Sequence, residues 1–506
     1  MDQRCHPETR VAILEDLRHW LLDDSERFAP SIYWITGVTG CGKSTISRSL
    51  LDMARRMGIA HSCFFFSRDH DERKTCRKLV VTVARDLVSY KDPKVIQCVH
   101  DAVEKKLESA PFLEQVVHLL RQPLESASHH RVLLIWDALD ECMDTNERSL
   151  LCDLITQLPQ FPTRLSILMT SRPESPFESV RRRLFECRQF RHCDLTFRRD
   201  SDSTTLRDID TYIAHRFNQI KTERMMDKAW PGKEALTQLN IKIDGLFVVA
   251  SFFCRFVDHY RCEDRLKRLL ETPSHFGDDN DYHYYRTGLQ HLFKGDSGEE
   301  VNDRQAIIGA ILVAQYPLTT NVLAKFAGVT SSAAEKIVET LLPFLFEAET
   351  PQKTVSGAWR FMHKSVSDFF ASDHAGEFRV DLANASAALA IPCLQIICDE
   401  IQDAFAQCDR TFKRSTPGSA DVDASLPKIS EGLDYACRFW AYHLKDVTTL
   451  NEALEALLDH FFTCHLLKWL HVMGRFRLLD SAICGLELAE NWEVCSRSIE
   501  AIWNIF

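Results

Sequence analysis

The chain has 506 residues, of which 45% are hydrophobic and 26% charged, ordinary values for a globular protein of roughly three domains. Its formal net charge of −11 gives no electrostatic footprint for nucleic acid, so we expect no nucleic-acid partner. Residues 1–10 are polar, and the apolar run 246–254 is too short to cross a bilayer. These features predict a cytoplasmic protein without a membrane span.

The chain contains 18 cysteines, which are scattered and often lie inside apolar runs such as 61–66. We find neither a Cys-x-x-Cys pair nor a Cys/His set at zinc spacing. The cysteines are therefore interpreted as reduced core residues rather than as disulfides or metal ligands.

The first part of the chain alternates between short β-rich runs and longer helical stretches. A helix is predicted over 11–22, where apolar residues share one side. The alternation that follows indicates a parallel sheet covered by helices on both faces. The predicted strands are 32–36, 60–66, 131–136 and 165–170, and the helices between them are 44–57, 73–90, 94–108, 112–128 and 147–158.

Beyond about residue 205 the β-rich runs nearly vanish. An acidic linker is expected at 277–281 and a polar, disordered loop at 411–427. Residues 300–380 predict three helices, a strand ending at Met362 and a further helix. Earlier helices are predicted at 208–219, 233–239, 245–259 and 261–270.

The strand before residue 37 runs directly into the pattern Gly-x4-Gly-Lys-Ser, at Gly37, Gly42, Lys43 and Ser44. Glycines let backbone N–H groups face an anion, the next helix presents its positive end, and the lysine reaches the terminal phosphates. The serine hydroxyl suits Mg²⁺, which prefers hard oxygen ligands. The alternative is a glycine-rich turn without a ligand. The predicted nucleotide-binding residues are Gly37, Gly40, Cys41, Gly42, Lys43, Ser44 and Thr45.

A second apolar strand ends at Asp137 and is followed closely by Asp140 and Glu141. An acid at such a strand end is suited to hold Mg²⁺, so Ser44 and Asp137 are the predicted metal residues. Asp140 or Glu141 would orient or deprotonate the attacking water. The alternative is a helix N-cap with acids in the first turn.

A third strand delivers Arg172 at its carboxyl end, the edge of a parallel sheet at which ligands bind. An arginine there can sense or stabilise a γ-phosphate, so Arg172 joins Asp140 and Glu141 as a predicted catalytic residue. The alternative is a surface arginine before the turn-forming Pro173.

Together these motifs resemble the NACHT domain of STAND P-loop ATPases, most closely the fungal proteins whose core is described as nephrocystin-3-like. The resemblance rests on segments 37–45, 133–142 and 169–174. Softer similarities to the same group lie at residues 5–10 and 64–69. Others resemble the winged-helix module that follows NACHT, at 316–319 and 363–370, and the helical region after it, at 434–443 and 465–470.

The resemblance implies a slow ATPase that works as a signalling switch, closed with ADP and open and oligomeric with ATP. His363 matches a winged-helix residue that in relatives can contact ADP; the alternative is a satisfied histidine at a strand end. Partners would be further copies of the chain and other signalling proteins, and the cofactors ATP or ADP with Mg²⁺. The family's usual N-terminal effector and C-terminal repeat sensor are not seen here, which predicts a reduced paralogue, a gene fragment or a partner of longer relatives.

The predicted fold is thus an α/β P-loop NTPase followed by mainly helical domains, one of them a winged helix. Two other functions stay open: a non-catalytic scaffold that binds nucleotide, and a small-molecule or nucleoside kinase. The predicted division is a lead-in helix at 1–26, a NACHT core at 27–200, a helical subdomain at 201–295, a winged-helix domain at 296–380 and a C-terminal helical region at 381–506.

Overall fold

The computed structural model divides the chain into two compact units, Met1–Tyr284 and Tyr285–Phe506. The predicted boundaries 26/27 and 200/201 fall outside the described residues, and the five-domain division stays a prediction. The structure describes residues 4–23, 31–67, 73–107, 110–127, 131–142, 144–161, 165–173, 177–185, 190–196, 203–274, 280–348, 357–414, 429–447 and 452–490.

The first unit is built on a five-stranded parallel sheet with the order β2-β3-β4-β1-β5. The four predicted strands are present, and a fifth, β5, was missed. Strands β1, β3 and β4 are almost entirely buried, as expected for strands covered on both faces. The strands are β1 Ser31–Thr36, β2 Ala60–Phe65, β3 Val132–Asp137, β4 Leu165–Ser171 and β5 Phe190–Asp194.

Helices cover both faces of this sheet, which confirms the predicted α/β class. Alternate residues of β1 point to opposite sides: Tyr33 and Ile35 pack with α1 and α2, while Ile32 and Trp34 enter a larger cluster on the other face. The helices of the sheet region are α1 Val11–Leu22, α2 Lys43–Arg56, α3 Cys76–Val88, α4 Pro93–Glu104, α5 Phe112–Gln115, α6 Gln122–Ser126, α7 Thr145–Gln157 and α8 Glu178–Leu184.

Four further helices complete the first unit, and a fifth helix contains the boundary between the two units. Asn280 and Asp281, predicted as part of an acidic linker, instead begin α13, while residues 277–279 lie outside the described residues. These helices are α9 Ser203–Glu223, α10 Lys233–Ile243, α11 Phe247–Val257, α12 Cys262–Glu271 and α13 Asn280–Leu292.

The second unit begins with helices around a small antiparallel sheet of order β6-β8-β7. The sequence predicted only the last of these strands, because β6 has two residues and β7 has four. The elements are α14 Gly298–Val313, β6 Leu318–Thr319, α15 Thr320–Ala327, α16 Ser331–Leu341, β7 Leu345–Ala348, β8 Ala358–Phe361 and α17 Lys364–Ala371.

The rest of the second unit is helical within the described residues. Residues 411–414 continue α18, which corrects the prediction that the polar loop starts there; residues 415–427 of that loop lie outside the described residues. The helices are α18 Leu382–Arg414, α19 Glu431–Leu444, α20 Glu452–His460, α21 Leu466–Arg475 and α22 Leu479–Ala489.

Within the described residues, one helical stretch, Asp373–Cys408, is long and apolar enough to cross a membrane by length and composition. This stretch was not predicted from the sequence. Most of it belongs to α18, whose Leu394, Ile397 and Ile401 are fully buried inside the second unit. Because the core helix of a globular protein passes the same test, the expected absence of a membrane span stays a prediction.

Candidate nucleotide site

The loop between β1 and α2 has the backbone that a phosphate cradle needs. Gly42 precedes α2 with φ 102°, and Gly40 has φ 81°, both in the left-handed region that glycine adopts without strain. A Cβ at Gly37 would lie 2.6 Å from Cys41 Sγ and 3.1 Å from Leu195 Cβ. The three glycines of the motif are therefore required by backbone conformation or by space.

Lys43 begins α2 and folds back over this loop. Its Nζ donates to the carbonyl oxygens of Gly37 at 2.6 Å and Val38 at 2.9 Å. If a phosphate occupied the loop, the lysine would donate its hydrogen bonds to phosphate oxygens instead of to these two carbonyl oxygens. Thr45 lies in the first turn of α2, where its carbonyl oxygen accepts from Ser49 Oγ at 2.9 Å.

The carboxylate of Asp137 is the polar centre of the site and is only 2% exposed. Ser44 Oγ donates to one carboxylate oxygen at 2.6 Å. Ser47 Oγ and Thr170 Oγ1 donate to the other at 2.7 Å and 2.9 Å. The structure thus brings together Ser44 and Asp137, the two predicted metal residues, in a set of hard oxygens that fits Mg²⁺.

Sequence reasoning missed Ser47 and Thr170. Ser47 follows Ser44 by three positions, a spacing that places both hydroxyls on one face of α2. Thr170 comes from the end of β4, which neighbours the strand that carries Asp137. Ser47 could have been predicted from helical spacing, whereas predicting Thr170 requires knowledge of the order of the strands in the sheet.

The chain turns sharply at Ala138, directly after β3. Its φ of 58° and ψ of 52° place a non-glycine residue in the left-handed region, and its N–H donates to Thr170 Oγ1 at 2.8 Å. Backbone strain of this kind is concentrated at functional sites. The turn leads into a short 3-10 helix, Leu139–Glu141, which contains both predicted catalytic acids.

Asp140 and Glu141 do not cap α7, but both lie in the first turn of the 3-10 helix Leu139–Glu141, as the alternative interpretation expects of first-turn acids. The residue that caps α7 is Asp144, whose Oδ1 accepts from the N–H groups of Asn146 and Glu147, each at 2.9 Å. The two earlier acids are thus placed by the turn that follows β3.

Asp140 and Arg172 are paired with each other. One carboxylate oxygen of Asp140 accepts from the backbone N–H of Arg172 at 3.0 Å, and the other lies 3.1 Å from Arg172 Nε. The pair joins the ends of β3 and β4 at the carboxyl edge of the sheet. Asp140 thus holds Arg172 at this edge, and the catalytic roles of both residues stay predictions.

A further cation, Arg48, lies one turn beyond Ser44 on α2. Its guanidinium carbon is 4.9 Å from the centre of the Phe65 ring. Burial lowers the pKa of Arg48, and the charge of Asp137 opposes that shift. Spacing of four residues along α2 is the signal that could have identified Arg48 as part of the site.

Arg10 anchors the phosphate loop from outside the motif. This arginine, which is 8% exposed, donates to the Cys41 carbonyl oxygen at 3.0 Å and to Thr205 Oγ1 at 3.1 Å. Its backbone N–H donates to the Asp208 carboxylate at 3.0 Å, and its guanidinium lies 5.0 Å from the Phe247 ring centre. One buried side chain therefore joins the N-terminal segment and α9 to the loop.

Replacing Arg10 with alanine is expected to lower nucleotide affinity roughly tenfold, because the buried hydrogen bond that holds the loop at Cys41 is lost. Titration with a fluorescent ADP analogue measures this. The matched control is Arg18→Ala on α1, an exposed arginine whose pairing is with Glu15. Equal affinities for the two variants would contradict the positioning role.

His363 lies in the second unit, where it precedes α17. The backbone N–H of Ser365 donates to His363 Nδ1 at 3.1 Å, and the Ser365 hydroxyl lies 2.9 Å from the same nitrogen. Ser365 is in turn 3.0 Å from the Tyr285 hydroxyl. This histidine is thus a helix cap at a strand end, and its predicted contact with ADP stays a prediction.

The sequence match to a known family coincides with these residues. Residues 9–172 match the family model described as Nephrocystin 3, N-terminal. The matched segment begins just before Arg10 and ends at Arg172, so it includes the phosphate loop and Asp137. Together with the sheet topology, the match supports a P-loop NTPase; fungal origin and the NACHT assignment stay predictions.

The solved structures that match the chain are distant from it in sequence. The Walker-type ATPase of Pyrococcus abyssi has 13% identity and a TM-score of 0.34, covering 73% of this chain and 99% of its own. A STAND protein with a tetratricopeptide repeat sensor from Pyrococcus horikoshii has 10% identity and a TM-score of 0.42, covering 97% and 72%. The Aeropyrum pernix Orc1 protein, solved in complex with DNA, has 13% identity and a TM-score of 0.33, covering 71% and 90%. None of the curated proteins searched matches the chain.

Proposed function

We propose that this protein is an ATP-binding, slowly ATP-hydrolysing signalling switch of the STAND/NACHT type, whose nucleotide state controls self-association. The observation that carries the proposal is the buried Asp137 carboxylate, which binds the Ser44 hydroxyl of the phosphate loop at 2.6 Å. A P-loop serine joined to a strand-end acid is the arrangement that holds Mg²⁺ with nucleotide phosphates.

The roles of the site residues follow from their positions. The loop N–H groups and Lys43 would bind the β- and γ-phosphates, while Ser44 and Asp137 would hold Mg²⁺, which neutralises phosphate charge when bound. We assign Glu141, which lies beside Asp140 in the turn after β3, to orienting the attacking water, while Asp140 holds Arg172. Arg172 would then stabilise γ-phosphate charge.

In the second unit, helices α14–α17 with the β6-β8-β7 sheet support the interpretation of this segment as a winged helix. His363 caps the start of α17 in that segment, and its proposed role is to bind ADP in the resting state. The proposed location is the cytoplasm, and the proposed partners are further copies of the chain and other signalling proteins.

Light scattering after size exclusion tests the switch. We expect the wild type to be smaller with ADP, to self-associate with ATP, and to return to the smaller form as ATP is consumed. Glu141→Gln should stay self-associated with ATP, because it binds nucleotide but positions water poorly, and hydrolysis should slow by roughly 10²-fold or more. The control is Glu178→Gln on α8, whose carboxylate is paired with Arg182.

Three outcomes would contradict this function in different ways. Equal mass with ADP and with a non-hydrolysable ATP analogue would exclude the switch. Nucleotide binding without turnover in the wild type would favour a non-catalytic scaffold. Transfer of phosphate to a small acceptor would favour a kinase.

A further inference from the structure

Three potential metal-binding side chains meet in the second unit, far from the phosphate motif in sequence. One ligand atom each of Cys398, His460 and His465 lies within 4.8 Å of the others. The two Nε2 atoms of the histidines are 3.1 Å apart. Cys398 comes from α18, and the histidines flank the junction between α20 and α21.

The backbone at this junction accounts for the meeting of the two imidazoles. In a regular α-helix, residues five apart point in directions about 140° apart, so His460 and His465 would diverge. Here the segment Phe461–His465 is a π-helical turn, in which residues five apart lie one above the other. Phe461, which is fully buried, packs 5.0 Å from the Trp440 ring centre and holds this turn in place.

His465 is the buried member of the group, since the residue is only 8% exposed. Its Nε2 atom faces that of His460, so a metal bound between them would be held by one buried and one exposed imidazole.

We propose that Cys398, His460 and His465 form a Zn²⁺ site that joins α18 to the α20–α21 junction. Two nitrogens bound to one tetrahedral Zn²⁺ lie about 3.4 Å apart, and nitrogen and sulfur about 3.6 Å. The observed 3.1 Å between the imidazoles is close to the first value. The Cys398 Sγ atom lies within 4.8 Å of the imidazole nitrogens and would move closer to them on binding.

The types of ligand atom determine which metal ions this site can bind. A thiolate with two imidazoles suits Zn²⁺ and disfavours Mg²⁺ or Ca²⁺, which prefer oxygen. His460 is exposed, so the fourth position faces solvent and takes water. Spacing alone could not predict this site, since Cys398 lies on a different helix, and the expectation that the cysteines are not metal ligands is revised here for Cys398.

The test uses the full chain, stripped of metal with a chelator, and titrates it with Zn²⁺ against a chromophoric competitor. We expect one tight site in the wild type and a rise in melting temperature with Zn²⁺. His460→Gln changes an exposed side chain, so this variant should fold normally. It should bind Zn²⁺ at least roughly tenfold more weakly than the wild type, and Zn²⁺ should no longer raise its melting temperature. His471→Gln, also exposed and on α21, is the matched control and should behave as wild type.

Co²⁺ substitution identifies the ligands directly. Wild-type protein should show intense visible bands of tetrahedral coordination and a thiolate-to-metal band that disappears in Cys398→Ser. An octahedral spectrum, or equal Zn²⁺ affinity for wild type and His460→Gln, would overturn the proposal. ATP binding by His460→Gln is measured in parallel and should equal that of the wild type. The Zn²⁺ proposal can therefore fail while the nucleotide switch holds, and the reverse.

Discussion

Replacing Lys43 with alanine is expected to abolish most of the thermal stabilisation that ATP gives the wild-type protein. At an ATP concentration 100 times its Kd, this stabilisation is about 2.7 kcal/mol. The Nζ atom already lies at the phosphate loop, 2.6 Å from the Gly37 carbonyl oxygen, and needs only to exchange that partner for phosphate oxygens. Differential scanning fluorimetry with and without ATP measures the effect.

The same variant should change little without nucleotide. Val38 and Lys43 are half-buried while Gly37 is buried, so water can replace the lysine at one carbonyl oxygen more easily than at the other, and the loss costs about 1 kcal/mol. Lys94→Ala, an exposed lysine in the first turn of α4, is the control and should keep the full response to ATP. An undiminished ATP-dependent rise in Lys43→Ala would show that phosphate binds elsewhere.

The sheet could be predicted where its strands are buried on both faces. β3 and β4 are continuous apolar runs whose residues are all buried, so composition alone reveals them. β5 was missed because it contains Arg191, His192 and Asp194 and is largely half-buried or exposed. Its place beside β1 depends on pairing with a distant strand, which local pattern does not encode.

Some residues of the site could likewise be predicted from local sequence, whereas others depend on tertiary packing. Lys43 and Ser44 were found because the phosphate loop is a backbone motif with fixed spacing. Arg10 could not be found this way, because its hydrogen bond to the Cys41 carbonyl oxygen depends on how the N-terminal segment packs. The pairing of Asp140 with Arg172 likewise follows from the adjacency of β3 and β4.

Replacing Asp137 with asparagine is expected to remove most of the contribution of Mg²⁺ to ATP affinity. Three hydroxyl groups, from Ser44, Ser47 and Thr170, donate to the two carboxylate oxygens. An amide offers one acceptor oxygen in place of two, and its NH₂ group would face a hydroxyl donor. The charge that attracts the metal is also lost, so we expect Mg²⁺-dependent affinity to fall by roughly 10²-fold.

Calorimetric titration of ATP, with Mg²⁺ and then with a chelator, separates metal binding from general damage to the fold. Asp137→Asn should bind with similar weak affinity in both conditions, whereas the wild type should bind far more tightly with Mg²⁺. Asp144→Asn is the matched control: it changes the same residue type at the exposed cap of α7, where asparagine caps equally well. Thr170→Val removes one hydroxyl donor to Asp137 and should give a smaller loss of the same kind. If Mg²⁺ raised the ATP affinity of Asp137→Asn as much as that of the wild type, the buried carboxylate would only stabilise the phosphate loop, and other residues would bind the metal.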